Sequence, residues 1–433
     1  MGLMPIRVEP KSVSDTAGSA STHDILVWGA TGFTGRLVVE HLTERYDPEA
    51  YSIAIGGRNR ERLETLRDEL GERNGAWAEI PIETGDAHNR DSLQRLASRT
   101  EVVCTTVGPY SEYGTPLVEA CVETGSDYCD LSGEIHWIRE MIDRYHEAAL
   151  EEGVRIVHSC GFDSVPFDLG TLLVQRRAIA DYGEPCSKVS VYLEGGKGGV
   201  SGGTLASLAA IFEAAATDSS VRDVLSDPYS LAPPGERDGL DAGEQRLPRR
   251  DRIIDEWTAP SPMAAVNERV IRRSNALLGY PWGRTFECRE SVPTGSGPLG
   301  AATASALSGG FGLFLAGMSV APVRKGLQKW IFPEPGEGPS RDRIESGSFE
   351  IRFVGRGTAA SAPSFRVDAR VRADRDPGYG ATARMLGEAA VCLLEADADG
   401  SLPGGVLTPA SGIGYPLIER LRDVGFSFEI ENV

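Results

Sequence analysis

The run Gly29-Ala30-Thr31-Gly32-Phe33-Thr34-Gly35 carries the clearest chemistry in the chain. It follows the apolar run Ile25–Trp28 directly and opens a stretch of helical periodicity. A bound diphosphate needs amides at a helix N-terminus, a tight turn and close backbone approach without a Cβ. Glycines at 29, 32 and 35 meet those needs, with Thr31, Phe33 and Thr34 between them as further contacts. The spacing is G-x-x-G-x-x-G, a variant of the dinucleotide fingerprint, and its place between strand and helix gives it meaning.

The next apolar run ends Gly56-Gly57-Arg58-Asn59-Arg60. An NAD site would place a carboxylate there for the ribose 2′-hydroxyl. Arg58 instead offers a guanidinium to a 2′-phosphate, so the expected cofactor is NADP(H). Arg60 and Arg62 suit a solvated helix face. Asp86 has two readings, an acceptor for the adenine amino group or a helix cap.

Ligands of such sheets sit beyond the carboxyl ends of the strands. Those ends read Thr106-Val107-Gly108-Pro109-Tyr110, Asp130-Leu131-Ser132-Gly133-Glu134 and Ser159-Cys160-Gly161-Phe162-Asp163-Ser164. Gly108 and Pro109 would let the cofactor pass close to the backbone. Tyr110, Asp130, Glu134, Ser159 and Asp163 are the polar groups nearest the expected nicotinamide, each with turn-forming duty as the alternative. Tyr110 and Asp163 are the candidate catalytic pair. No Tyr is followed four residues later by Lys, so the proton donor of short-chain dehydrogenases is missing.

The elements that must hold these residues alternate strand and helix. Ile25–Trp28, Ile53–Ile55, Ala76–Ile80, Glu101–Val107, Asp127–Leu131 and Val154–His158 read as strands, with helical periods between them. That alternation predicts an α/β fold, a doubly wound parallel sheet of Rossmann type over residues 23–170. Residues 1–22 read as a flexible tail. Residues 171–376 read as an α+β second domain, with antiparallel strands at Gly347–Val354 and Phe365–Arg372 and a small-residue helix at Gly202–Ala216. Within it, 217–256 reads as a polar excursion over the surface. Residues 377–433, opening with a helix at 380–396, are expected to return to the first domain.

Residues 291–323 contain no charge, and Arg324, Lys325 and Lys329 follow. The preferred reading is a Gly-rich buried wall lining an apolar substrate site. The alternative is peripheral contact with a membrane interface, anchored by the basic residues.

Composition bounds the rest. The chain has 433 residues, 63 Asp+Glu against 44 Lys+Arg, and a net charge of −19. So acidic a surface repels phosphate backbones and argues against nucleic acid as a partner. Only five cations are lysines, and an acidic, Lys-poor surface suits a salt-rich, halophilic cytoplasm. Seven cysteines without a C-x-x-C pair read as reduced thiols in a cytoplasmic protein, and no metal site is expected. A homodimer is left open.

Taken in order, Gly29–Gly35, Gly56-Gly57-Arg58, Val107–Tyr110, Asp130–Glu134 and Gly161-Phe162-Asp163-Ser164-Val165-Pro166 form a set. With Pro335–Ser340 and Gly405–Ala410, this set resembles the saccharopine dehydrogenase-like oxidoreductases, most closely the trans-acting enoyl reductases. The resemblance implies an NADP-binding Rossmann domain and reduction of a carbon–carbon double bond in a long-chain lipid or polyketide precursor. It also implies association with membranes, on the inner face of the plasma membrane. Imine or carbonyl reduction of saccharopine dehydrogenase type is the alternative chemistry, and a non-catalytic NADP-binding scaffold the alternative class.

Overall fold

The computed structural model describes residues 22–198, 202–330, 338–396 and 403–431. The expected tail, residues 1–22, lies outside them except for Thr22, and so do Pro335-Gly336-Glu337.

The strands follow in chain order. First come β1 (His23–Trp28), β2 (Ile53–Gly57), β3 (Ile82–Thr84), β4 (Thr100–Thr105), β5 (Asp127–Cys129) and β6 (Arg155–Val157). Then come β7 (Lys188–Lys197), β8 (Arg249–Asp251), β9 (Glu256–Pro260), β10 (Glu287–Gly295), β11 (Ser348–Ala359) and β12 (Ala362–Ala373). The last are β13 (Gly405–Leu407) and β14 (Phe426–Glu431).

β1 and β2 are apolar and almost wholly buried, as strands covered on both faces must be. They nucleate a parallel sheet in the order β13-β6-β5-β4-β1-β2-β3. The order reverses direction between β1 and β4, so the crevice for a ligand opens at their carboxyl ends. The second sheet is mixed, in the order β14-β12-β11-β7-β10-β9-β8. Beside its central strand β7 runs the long antiparallel hairpin β11–β12, where Phe349 faces Ala373 and Gly357 faces Phe365.

The helix Val165–Tyr182 leaves the first sheet and packs on this hairpin. A Cβ at Gly170 would enter the Phe353 ring, so the contact needs a glycine. One hydrophobic core runs from Ile25 and Val27 through Phe167 to Phe353 and Phe428, binding the two sheets into one body.

Three expectations need correction. Ala76–Ile80 is not a strand, because the Asn74 side chain accepts from Ala76 N (3.2 Å) and starts a tight turn over Gly75–Trp77. The strand begins at Ile82. Residues 217–256 do not simply skirt the surface: Ser230, Leu231, Ala232 and Asp241 are buried. Arginines from the helix Ala264–Leu277 draw them in, with Arg269 bonding Leu225 O and Asp227 O, Arg272 bonding Pro228 O, and Arg273 bonding Leu231 O. Nor is the uncharged stretch a buried wall. After β10 it forms the helix Gly297–Ser319, whose buried residues are only Gly300, Ala304, Ser308 and Met318.

The C-terminal segment serves both sheets. β13 pairs with β6 at Val406–Ile156, and β14 pairs with β12 at Phe428–Val371.

Candidate active site

The glycine run turns between β1 and the helix Phe33–Arg45. Gly29 has φ +91°, and a Cβ there would meet Val107 Cγ2 at 2.7 Å. A Cβ at Gly35 would run into Gly29 O, so the helix can lie against the turn only without one. Gly32 differs, since its would-be Cβ meets only Gly29 O at 3.2 Å. Its amide closes the turn on Gly29 O (2.9 Å).

The helix that follows has no side-chain cap and no acid in its first turn. The next two helices of the domain are capped by Asn59 and Asn89. Uncapped amides, an open outer face and a glycine-only turn fit a diphosphate. Thr31 is exposed beside this turn, and Phe33 and Thr34 are half-buried.

Arg58 follows the end of β2 and is exposed. Among the described residues it forms no ion pair, whereas Arg60 is tied to Glu64 (2.9 Å). A free guanidinium at this strand end fits a 2′-phosphate. Asp86 accepts from His88 N (3.0 Å), and the following helix takes its cap from Asn89, so the cap reading does not hold for Asp86.

Gly108 and Pro109, joined by a cis peptide bond, carry the chain over the end of β4 into Tyr110. The Tyr110 ring is buried and stacked on Trp137. Its hydroxyl donates to Thr105 O (3.3 Å) and accepts from Leu131 N (3.1 Å). Burial, reinforced by Asp130, pushes the phenol well above its ordinary range. The structure thus brings Tyr110 to the right strand end but occupies its hydroxyl in joining two loops.

Asp130 and Glu134 are likewise occupied. Asp130 accepts from Tyr128 OH, His158 Nδ1, Ser132 N and Ser159 N, all within 3.1 Å. Glu134 receives Tyr110 N (2.7 Å), Ser111 N (3.0 Å) and the Ser207 hydroxyl (2.8 Å). Ser159 sits at φ +63°, a conformation uncommon for a side-chain-bearing residue, and its hydroxyl donates to Ser132 O (2.6 Å).

Asp163 stands apart. It is half-buried at the carboxyl end of β6 and has no hydrogen-bond partner among the described residues. Burial alone pushes its carboxyl up to about 6.

Beside it begins a polar network that sequence reasoning missed. Ser164 donates to Asn267 Oδ1 (3.1 Å), and Asn267 donates to Glu290 Oε2 (2.7 Å). Ser261 bonds the other Glu290 oxygen. Glu290 N donates to Glu268 Oε1 (2.9 Å), whose second oxygen takes Arg272 (2.8 Å). Burial pushes Glu290 up to about 8 and Glu268 up to about 7. Asn267, Glu268 and Arg272 lie on Ala264–Leu277, a helix polar on every side yet almost wholly buried. Its lack of a single apolar face hides it from periodicity.

The second domain roofs this end of the sheet with the helix Gly202–Thr217. Its Gly202 N donates to Tyr379 OH (3.1 Å), and the Tyr379 ring meets Phe33 edge-on at 4.8 Å. Its Ser207 reaches Glu134 as above. Glu213 is its only charged residue.

Comparison with known proteins supplies the family. Residues 25–157 match the family described as saccharopine dehydrogenase NADP binding domain. A Mycobacterium tuberculosis protein named as a trans-acting enoyl reductase is 41% identical over 416 residues, 94% of this chain and 97% of that one. The trans-acting enoyl reductase of Mycobacterium ulcerans is 36% identical over 415 residues, covering 93% and 96%. The apo saccharopine dehydrogenase (L-Glu forming) of Saccharomyces cerevisiae has the same fold, with a TM-score of 0.52 at 11% identity over 95% of this chain and 100% of that one. The glycine cradle and free guanidinium therefore lie in a recognised NADP-binding domain, and the chain belongs to the saccharopine dehydrogenase-like NADP-dependent oxidoreductases, alongside the trans-acting enoyl reductases.

Proposed function

We propose that the protein reduces a carbon–carbon double bond of an apolar, lipid- or polyketide-like substrate. NADPH, when bound, supplies the hydride. The glycine turn with Thr31, Phe33 and Thr34 holds the diphosphate, Arg58 the 2′-phosphate, and Gly108 and Pro109 give the ribose a close backbone wall. Asp163 gives a proton to the carbon that does not receive the hydride, then regains one from water. The helix Gly202–Thr217 helps keep water from the reacting carbons.

The observation that carries the proton assignment is Asp163 itself, a desolvated carboxyl at this strand end without a hydrogen-bond partner among the described residues. The names of the relatives supply the bond class. The roof favours an apolar substrate over an amino-acid one, since Gly202–Thr217 offers no cation for a substrate carboxylate. Seven buried cysteines, none in a disulfide, suit a reducing cytoplasm.

The test is NADPH oxidation with acyl enoyl and isoprenoid substrates beside a panel of imines and ketones. Turnover confined to the enoyl or isoprenoid set supports the proposal. Turnover confined to imines or ketones replaces it with the saccharopine-type reading. Tight NADPH binding without any turnover favours a scaffold.

A further inference from the structure

The helix Gly297–Ser319 carries no charge, and of its 23 residues only Gly300, Ala304, Ser308 and Met318 are buried. Its open side has a pattern. Leu299, Ala302, Ala306, Gly310 and Leu313 are all exposed, Leu299 by 80% and Leu313 by 75%. Steps of three, four, four and three residues keep these five on one face. The order also reads alike in both directions about Ala306: a leucine, a small residue, the centre, a small residue, a leucine.

Glycine inside a helix costs stability and suits places where another backbone comes close. A Cβ at Gly309, Gly310 or Gly312 would meet nothing within 4 Å. Among the described residues, then, no neighbour requires these three glycines, and the close approach they permit is to something outside this body.

A contact between two copies of one chain about a two-fold axis must join a patch to itself. A palindromic face does so when the two helices lie antiparallel and cross at Ala306. Leu299 of one copy then meets Leu313 of its partner, seven residues to either side of the centre, with the small residues packed between them.

Charge favours the same arrangement. Each copy has a net charge of −19, so two copies repel unless they meet through a neutral face. No residue from Ser291 to Val323 is charged. The charges that flank the helix differ in sign. At its start the Glu256 carboxylate accepts from Gly295 N (3.1 Å). At its end Arg324 donates to Met318 O (2.8 Å), and the next residue, Lys325, is exposed. Antiparallel pairing sets the acidic start of each helix beside the basic end of the other, with the helix dipoles opposed. Parallel pairing would set lysine beside lysine.

The helix is about 34 Å long, and a face about 12 Å wide covers roughly 400 Å² on each copy, or about 800 Å² in all. Val320 and Val323, both half exposed, add to it. An interface of this small size makes a reversible dimer rather than a permanent one.

We infer that Gly297–Ser319 is the self-association face of this protein, pairing antiparallel with the same helix of a second copy about a two-fold axis at Ala306. The pairing stands on the surface alone and does not depend on the substrate.

Sedimentation equilibrium of the full chain across the micromolar range tests it, with co-sedimentation on phosphatidylglycerol vesicles alongside. The wild type should show a monomer–dimer equilibrium. Ala306→Glu sets two carboxylates face to face at the axis and should weaken the dimer at least tenfold. Ala306 is exposed, so an unchanged melting curve shows that the fold is intact. Cross-linking tests the register, since the native cysteines are all buried. Leu299→Cys mixed with Leu313→Cys should form a disulfide-linked dimer under mild oxidation, and Leu299→Cys alone should not. A wild type that stays monomeric overturns the inference, as does a dimer indifferent to Ala306→Glu or linked equally well by Leu299→Cys alone. A monomer that pellets with the vesicles also overturns it, since lipid would then cover the face.

Discussion

Replacing Glu290 by Gln isolates the charge that the network between the sheets must tolerate. Glu290 is 1% exposed, on β10, with the carboxyls of Asp163 and Glu268 as its charged neighbours. Burial, against the hydrogen bonds from Ser261 and Asn267, pushes its carboxyl from 4.5 up to about 8. Between those values the folded protein holds a proton that the unfolded chain has released, so stability falls as pH rises through that window. Below pH 4.5 both states are protonated and the effect vanishes. At about 1.36 kcal/mol for each unit, the penalty is on the order of 4 kcal/mol by pH 8. Glutamine copies the protonated form: its oxygen accepts from Asn267 and its amide donates to Ser261. The variant should match the wild type near pH 4.5 in urea unfolding and exceed it by a few kcal/mol at pH 8. Parallel curves, or a less stable variant at pH 8, would refute the reasoning.

Other outcomes follow from the same geometry. Asp163→Asn should lower turnover by roughly 10²–10⁴-fold while leaving NADPH affinity unchanged in fluorescence titration. In the wild type, kcat should fall as pH rises through about 6, where Asp163 loses its proton, and the variant should lack that limb. Gly35→Ala should weaken NADPH binding at least tenfold, because its methyl group meets Gly29 O and opens the turn. Gly170→Ala should destabilise the fold by roughly 1–3 kcal/mol in chemical unfolding, since its Cβ enters the Phe353 ring.

Most of the parallel sheet was legible because β1, β2, β4, β5 and β6 fall in local apolar runs with helical periods between them, whereas β3, only Ile82–Thr84, was placed upstream at Ala76–Ile80 and the short β13 was not read as a strand. Gly29–Gly35 was legible for a similar reason, since a glycine-only turn leaves its mark in consecutive residues. Arg58 could be read from its position at a strand end. The hydroxyl of Tyr110 could not, because its partners Thr105 O and Leu131 N are backbone atoms that any residue supplies. The helix Ala264–Leu277 was illegible because its buried arginines are satisfied by carbonyls of a polar loop some forty residues away. The exposure of Gly297–Ser319 was hidden for the opposite reason: apolar sequence reads alike whether it lines a core or an outer face.

The account depends most on the cradle and the guanidinium beside it. Titration of NADPH and NADH into the wild type and Arg58→Glu tests both at once. Losing one charge-assisted contact and gaining a repulsion should weaken NADPH by about 10–100-fold or more, with little change for NADH. An equal effect on the two coenzymes, or no NADPH binding by the wild type, would contradict it.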